Sequence, residues 1–262
     1  MQSFIAANKK LSRHFKMIKF FRKIRQNLIM KNKISKYLLY AVGEIALVMI
    51  GILLAFQVNS WKEQQDNSNI EKTMMNNLNI EFKNNLYKLK NSTAQYKESE
   101  KSLRLLMSYM QLSSDQLKQI NTDSLIAKSI DVYDYSPTQN SLTEIIATGN
   151  LKLITKDSLK TMLLDWSAEL NELDEAWQTL DDFNQSMVLP YLAKNASMRN
   201  IDKYSIMKWE ERSKFKVDLE ALFNDIEFEN HLDNMGWAVV NYEMSLERLE
   251  KIVNKIIGLT ND

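Results

Sequence analysis

The sequence predicts an all-α protein, with one N-terminal transmembrane helix continuing into an elongated antiparallel helical bundle. Three observations predict it. From Leu38 to Phe56 the only charged residue is Glu44. Five Gly and two Pro in 262 residues leave few tight turns, which favours long helices over many strands. Beyond the apolar run, hydrophobic residues recur at steps of three and four over three long stretches, the spacing of helices with one buried face.

Residues 1–36 read as a basic cytoplasmic arm. They hold eleven of the 34 Lys/Arg and none of the 33 Asp/Glu, which leaves 23 basic against 33 acidic residues beyond Lys36, a net charge of −10. Within the arm, Ile18, Phe21, Ile24 and Leu28 recur at helical spacing, with Lys19, Arg22, Lys23 and Arg25 on the remaining surface. Such a helix suits an anionic membrane surface. The competing reading, a nucleic-acid-binding arm, is the weaker one beside a span, so no nucleic-acid partner is expected.

Residues 37–61 read as the transmembrane helix. At about 1.5 Å per residue, the run from Leu38 to Phe56 crosses a hydrocarbon core of roughly 30 Å. The basic arm fixes the direction: the N-terminus stays in the cytoplasm and the C-terminal domain is translocated. Tyr37 and Tyr40 stand at one interface and Trp61 at the other. A cleaved signal peptide competes, since Val58 and Ser60 are small enough to precede a cut before Trp61. The apolar run exceeds the usual ~7–15 residues, which favours a retained anchor. An ionisable residue inside a span is costly, so Glu44 stands out. Tyr40, Glu44, Gly51 and Ala55 fall near one helical face, and Gly51-x-x-x-Ala55 is a small-xxx-small pair that permits close helix approach. Two readings stand: a helix–helix contact in the membrane, or a tolerated polar group near the headgroups with incidental small residues.

The run KFFRKIRQNLIMKNKISKYLLYAVGEIALVMIGILLAFQVNSW resembles the N-terminal signature of an uncharacterised family of single-span inner-membrane proteins from Gram-negative bacteria of the Bacteroidetes type. The resemblance rests on Gly43-Glu44-Ile45, on Ile50 to Ala55, and on Gln57, Asn59 and Trp61. The stretch LTEIIATGNLKLITKDSLKTMLLDW, Leu142 to Trp166, is similar to a second family segment. The resemblance implies an inner-membrane anchor with an extracytoplasmic helical domain and a start near Met17, residues 1–16 being a start-site artefact or an extension private to this chain. It implies no activity, ligand or catalytic residue.

Residues 62–262 form the predicted extracytoplasmic domain. The first helix continues past Trp61 to about Ser113, with Met75, Leu78, Phe82, Leu89, Tyr96, Leu103, Leu106 and Met110 at helical spacing. Polar Asn85, Ser92 and Ser99 interrupt the seam, which argues against a strict dimeric coiled coil and for a helix covering one side of a bundle. Residues 111–156 are irregular, with cap-like SSDQ at Ser113 and NTDS at Asn121, a loop from Asp131 to Gln139, a helix over Leu142 to Ile146 ended by Gly149, and Thr155 or Asp157 capping the second long helix. That helix carries Leu159, Leu163, Trp166, Leu170, Leu173, Trp177, Leu180 and Met187, broken only at Asn184 and stopped or kinked by Pro190. Short helices fill 190–225, Asp218 to Asn224 the clearest. The last helix carries Phe228, Leu232, Met235, Val239, Tyr242, Leu246, Leu249, Val253 and Ile256 and closes at Gly258. Gly236 inside it allows a close approach of another helix or of Trp237's neighbours. The first long helix is expected to lead away from the bilayer and the next to return, with the short helices as a cap or fourth layer.

The chemical inventory is poor. There is no Cys, so no disulfide, thiolate catalysis or Cys-ligated zinc. Glu227 and His231 share a helical face but read as a surface pair rather than metal ligands. Asp174, Glu175, Asp181 and Asp182 read as a solvated face. Trp166 and Trp177 read as core, although Trp166, Trp177, Trp209 and Trp237 are all of a type that lines ligand pockets. No phosphate-loop, dinucleotide or nucleophile-elbow motif occurs. The expectation is a non-enzymatic membrane-anchored module for protein interaction or envelope assembly, without metal or cofactor. Its partners are the lipid bilayer and a protein partner, or a second copy, met through the span and bundle. The alternative is a periplasmic sensor or ligand-binding input domain that signals through a separate partner.

Overall fold

The computed structural model describes residues 34–261. The basic helix expected over residues 17–29, with Lys19, Arg22, Lys23 and Arg25, lies outside the described residues, as does the side chain of Tyr37. Helices make every regular element among the described residues. They are α1 (Ile34–Ser108), α2 (Ser114–Leu117), α3 (Thr122–Ile130), α4 (Asn140–Ala147), a 3₁₀ turn (Asn150–Leu153), α5 (Asp157–Phe183), a π turn (Asn184–Val188), α6 (Leu189–Asn195), α7 (Met198–Ile201), α8 (Leu219–Phe223) and α9 (Ile226–Thr260). The chain divides after Asn67 into two compact units.

In the first unit, α1 is long and apolar enough to cross a membrane, and none of its most apolar window is buried. Leu39, Leu47, Leu53, Phe56 and Trp61 are all exposed. A core helix of a soluble protein would bury such side chains, because each is worth ~1.5–3 kcal/mol when removed from water.

In the second unit, three long helices and one irregular leg share a core. Thr155, just before α5, donates its N–H and hydroxyl to Glu71 Oε1 (2.6 and 2.7 Å). Phe82 meets Trp166 edge to face at 5.1 Å. From Ser68 onward, α1 and α5 therefore run in the same direction. α9 runs antiparallel to both: Arg248 pairs with Glu169 at 2.6 Å, Lys97 lies 3.7 Å from Glu243, and Asn79 Nδ2 donates to Thr260 Oγ1 (2.9 Å) and Asn261 Oδ1 (3.0 Å). This corrects the expectation that the second long helix returns along the first. The return is made by residues 122–155.

That irregular leg explains the polar seam of α1. Ser99 Oγ donates to the Ser129 carbonyl, and Tyr96 Oη to the Tyr133 carbonyl. Asn85 exchanges two bonds with Thr138, donating to its carbonyl (2.7 Å) and accepting from its N–H (2.9 Å). Glu81 Oε2 accepts from Ser141 N–H in the first turn of α4 (2.9 Å), where a carboxylate meets the positive end of the helix. Extended backbone has no ladder of its own here, so buried side chains satisfy it. Gly149 closes α4 at φ 68°, the left-handed region that glycine adopts without strain.

All nine apolar positions singled out in α9 are buried. Three boundaries differ from the sequence reading. Neither Thr155 nor Asp157 caps α5; its N-cap is Lys156, without a side-chain cap bond. α9 passes through Gly258 to Thr260, whose hydroxyl bonds the Ile256 carbonyl. The break after α5 comes at Asn184 rather than Pro190, as a π turn in which Leu189 N–H bonds the Asn184 carbonyl. Pro190 has no N–H and its ring would clash with the preceding turn; one extra residue in that turn relieves the conflict. The insertion shifts the stripe, so Val188 is buried and Met187 is exposed.

Candidate functional site

A groove of about 660 Å³ lies between the C-terminal end of α1 and the first half of α9. Leu103 and Met107 of α1 and Leu232, Val240 and Met244 of α9 give it apolar walls. Gly236 lies between them, and a Cβ added there would meet nothing within 4 Å. Among the described residues no helix uses the close approach that Gly236 permits; the glycine instead deepens the groove. Trp237 stands on the rim, 61% exposed. Arg104 and Glu100, one turn apart on α1, form an ion pair at 2.7 Å on the same rim, and Asp233 and Asn241 supply further polar groups.

Behind the groove wall Glu243 is buried and faces Lys97. Burial pushes its carboxyl above the usual glutamate range, Glu100 adds to the rise and Lys97 opposes it. A deeper polar centre lies between α1, α9 and the leg. Tyr242 Oη accepts from Tyr135 N–H (2.8 Å) and donates to Asp134 Oδ1 (3.1 Å), with Tyr96 against its ring at 4.5 Å. Burial raises the pKa of the Asp134 carboxyl, while the Tyr242 hydroxyl opposes the rise. These groups tie the leg to the bundle. The groove itself is suited to holding an apolar side chain or helix face between charged rims, because it combines a hydrophobic floor with solvated polar edges.

The residues named from the sequence fall into separate places. Tyr40, Glu44, Gly51 and Ala55 lie on α1 in the first unit, Gly51 and Ala55 exposed and Gly51 with open space around it. Trp166 is fully buried against Phe82, and Trp177 packs 5.9 Å from Tyr242. Trp209 lies under Arg199, whose guanidinium sits 5.6 Å from the ring centroid. Of the four tryptophans, Trp237 lines the groove. Asp174, Glu175 and Asp182 are exposed. His231 lies 3.6 Å from Glu227 and edge-on to Tyr191. Among the described residues no three His, Cys, Asp or Glu gather as metal ligands. Met107, Val240 and Met244 went unmarked in the sequence because they flank the buried stripes instead of filling them.

Residues 44–174 match the model of a family of unknown function, DUF6090. The match takes in most of α1, including Glu100 to Ser108 at the groove, and ends within α5. No curated protein and no solved structure matches the chain.

Proposed function

The chain belongs to that family of unknown function, and we propose that it is a single-pass inner-membrane protein of a Gram-negative bacterium of the Bacteroidetes type, working as a non-enzymatic docking module. The basic arm stays in the cytoplasm, α1 spans the bilayer between Tyr37 and Trp61, and the helical domain after it is periplasmic. The observation that carries the anchor is the full exposure of an apolar stretch that a water-soluble fold would bury. The groove between α1 and α9 receives an apolar helix of a protein partner, anchored against Gly236 and Trp237. A glycine floor, flanking Met and Trp side chains and a charged rim support this reading, since such compositions recur where amphipathic helices dock.

The test is site-specific photocrosslinking from position 237 of the full chain in native membranes. One recurrent partner is expected with the wild-type groove, and its yield falls at least tenfold when Gly236→Trp fills the floor. Recovery of the chain only as itself, or a yield indifferent to Gly236→Trp, refutes the docking reading. The alternative of a ligand-sensing domain draws on the groove's volume, which lies within the range of small-molecule sites.

A further inference from the structure

The segment between α7 and α8 departs from the rest of the chain in both charge and exposure. Residues 203–217 carry five Lys/Arg and two Glu, a net of +3, whereas the chain beyond Lys36 as a whole carries −10. The same segment exposes Ile206 (78%) and Phe215 (87%), with Met207, Trp209 and Tyr204 also exposed. These apolar side chains alternate with lysines, and Phe215 stands with Lys216 at the edge of a cavity of about 520 Å³ that Tyr191 and Asp225 also line.

The segment is held in shape. Lys208 N–H bonds the Asp202 carbonyl at 2.9 Å, closing a loop with Ile206 and Met207 inside it, and Lys208 itself turns at φ 48°. Lys203 Nζ donates to the Glu210 carbonyl (2.6 Å), Arg199 Nε to the Glu211 carbonyl (3.2 Å), and Ser213 N–H to Asn200 Oδ1 (2.8 Å). Arg212 is drawn to Asp123 at 2.7 Å, which fixes the segment beside α3. Lys208, Lys214 and Lys216 make no ion pair among the described residues and are exposed. The ties therefore use up Lys203, Arg199 and Arg212 and leave three ammonium groups beside exposed apolar side chains.

We propose that residues 203–217 form a docking loop for an anionic lipid surface, with Ile206, Met207 and Phe215 entering the headgroup–acyl boundary and Lys208, Lys214 and Lys216 meeting lipid phosphates. Charge complementarity selects this occupant. An anionic bilayer repels a chain that is acidic beyond its arm except where the local charge reverses, and it reverses in this segment. Apolar side chains interleaved with lysine, with Trp and Tyr beside them, match the amphipathic chemistry of a membrane interface. A protein partner of acidic surface is the competing occupant. A preformed loop loses little conformational freedom on insertion, so a small number of side chains suffices.

The full chain, held in nanodiscs of neutral phosphatidylcholine, is mixed with vesicles of phosphatidylcholine containing about one-third phosphatidylglycerol, or with vesicles of phosphatidylcholine alone, and capture is read by flotation. Anionic vesicles are expected to capture the wild type about tenfold better than neutral ones, with the advantage falling as salt is added. Ile206→Asp with Phe215→Asp, and separately Lys208→Gln with Lys214→Gln and Lys216→Gln, each reduce that capture about tenfold or more. All five positions are exposed, and unchanged circular dichroism shows the fold is kept. A Lys19→Gln, Arg22→Gln, Lys23→Gln, Arg25→Gln variant retains loop-dependent capture. The proposal is overturned if the wild type is not captured, if loop variants are captured like wild type, if only the arm variant loses capture, or if the loop variants lose a crosslinked acidic protein while vesicle capture is unchanged. Photocrosslinking at position 237 is read independently, so loss of one function leaves the other visible.

Discussion

Tyr242 is the residue on which the irregular leg depends most directly. Its hydroxyl satisfies a buried N–H of Tyr135 and reaches Asp134 in the same centre. Tyr242→Phe keeps the ring against Tyr96 but orphans that N–H, and an unsatisfied buried donor costs about 1–3 kcal/mol. Urea unfolding of the variant should show an unchanged slope and a midpoint lower by that cost divided by the slope; an unchanged midpoint would show that the leg is held elsewhere. Glu243 gives a pH dependence instead. Its carboxyl is raised from the ordinary 4.5, chiefly by burial. The folded state therefore holds its proton more tightly than the unfolded chain. The stabilising contribution is fully present below about 4.5 and is lost as pH rises through the folded value. Glu243→Gln should melt close to wild type at the acid end and above it at pH 7. A variant that loses ground toward neutral pH would contradict the sign.

At the scale of elements, the π turn decides which face of the helix after α5 is inside. Val188 is 4% exposed and Met187 43%, the reverse of an uninterrupted three-four stripe. Val188→Asp should cost about 3 kcal/mol or more, because it buries an unpaired charge, while Met187→Asp stays within about 0.5 kcal/mol. Equal effects in chemical denaturation would argue for a continuous α-helix. The apolar stripe of α9 was legible in the sequence because it has no exception from Phe228 to Ile256, although the helix runs on past Gly258 to Thr260. The leg was not legible as a packed element. Asn85 and Ser99 interrupt the α1 stripe because they bond backbone groups of residues 129–138, and hydrophobic periodicity carries no sign of backbone partners. Asn184 did mark a break, but the pattern gave Pro190 the cause and placed the boundary six residues late. Of the groove, Gly236 and Trp237 were visible as unusual residues, while the empty space beside them depends on which helices stand side by side. The 203–217 loop has no repeat at all, so its exposure could be learned only from the fold.

For the whole molecule, the charge imbalance between arm and remainder sets the proposed orientation. Alkaline phosphatase fused after Asp262 should be active in intact cells and a fluorescent protein at the same place dark; the opposite pattern would reverse the topology. The pairing of Asn79 with Thr260 and Asn261 has a further consequence, for biosynthesis. These partners lie 181 and 182 positions apart, and α9 is translated after every helix it covers. At ~5–20 residues per second its 35 residues take about 2–7 s to make. During that interval α1 and α5 have no α9 to shield Leu78, Trp166 and their neighbours from water. A chaperone that binds apolar helix faces, or slow codons placed late in the message, would act in that window, and the nascent chain should be most open to proteases just before α9 has emerged.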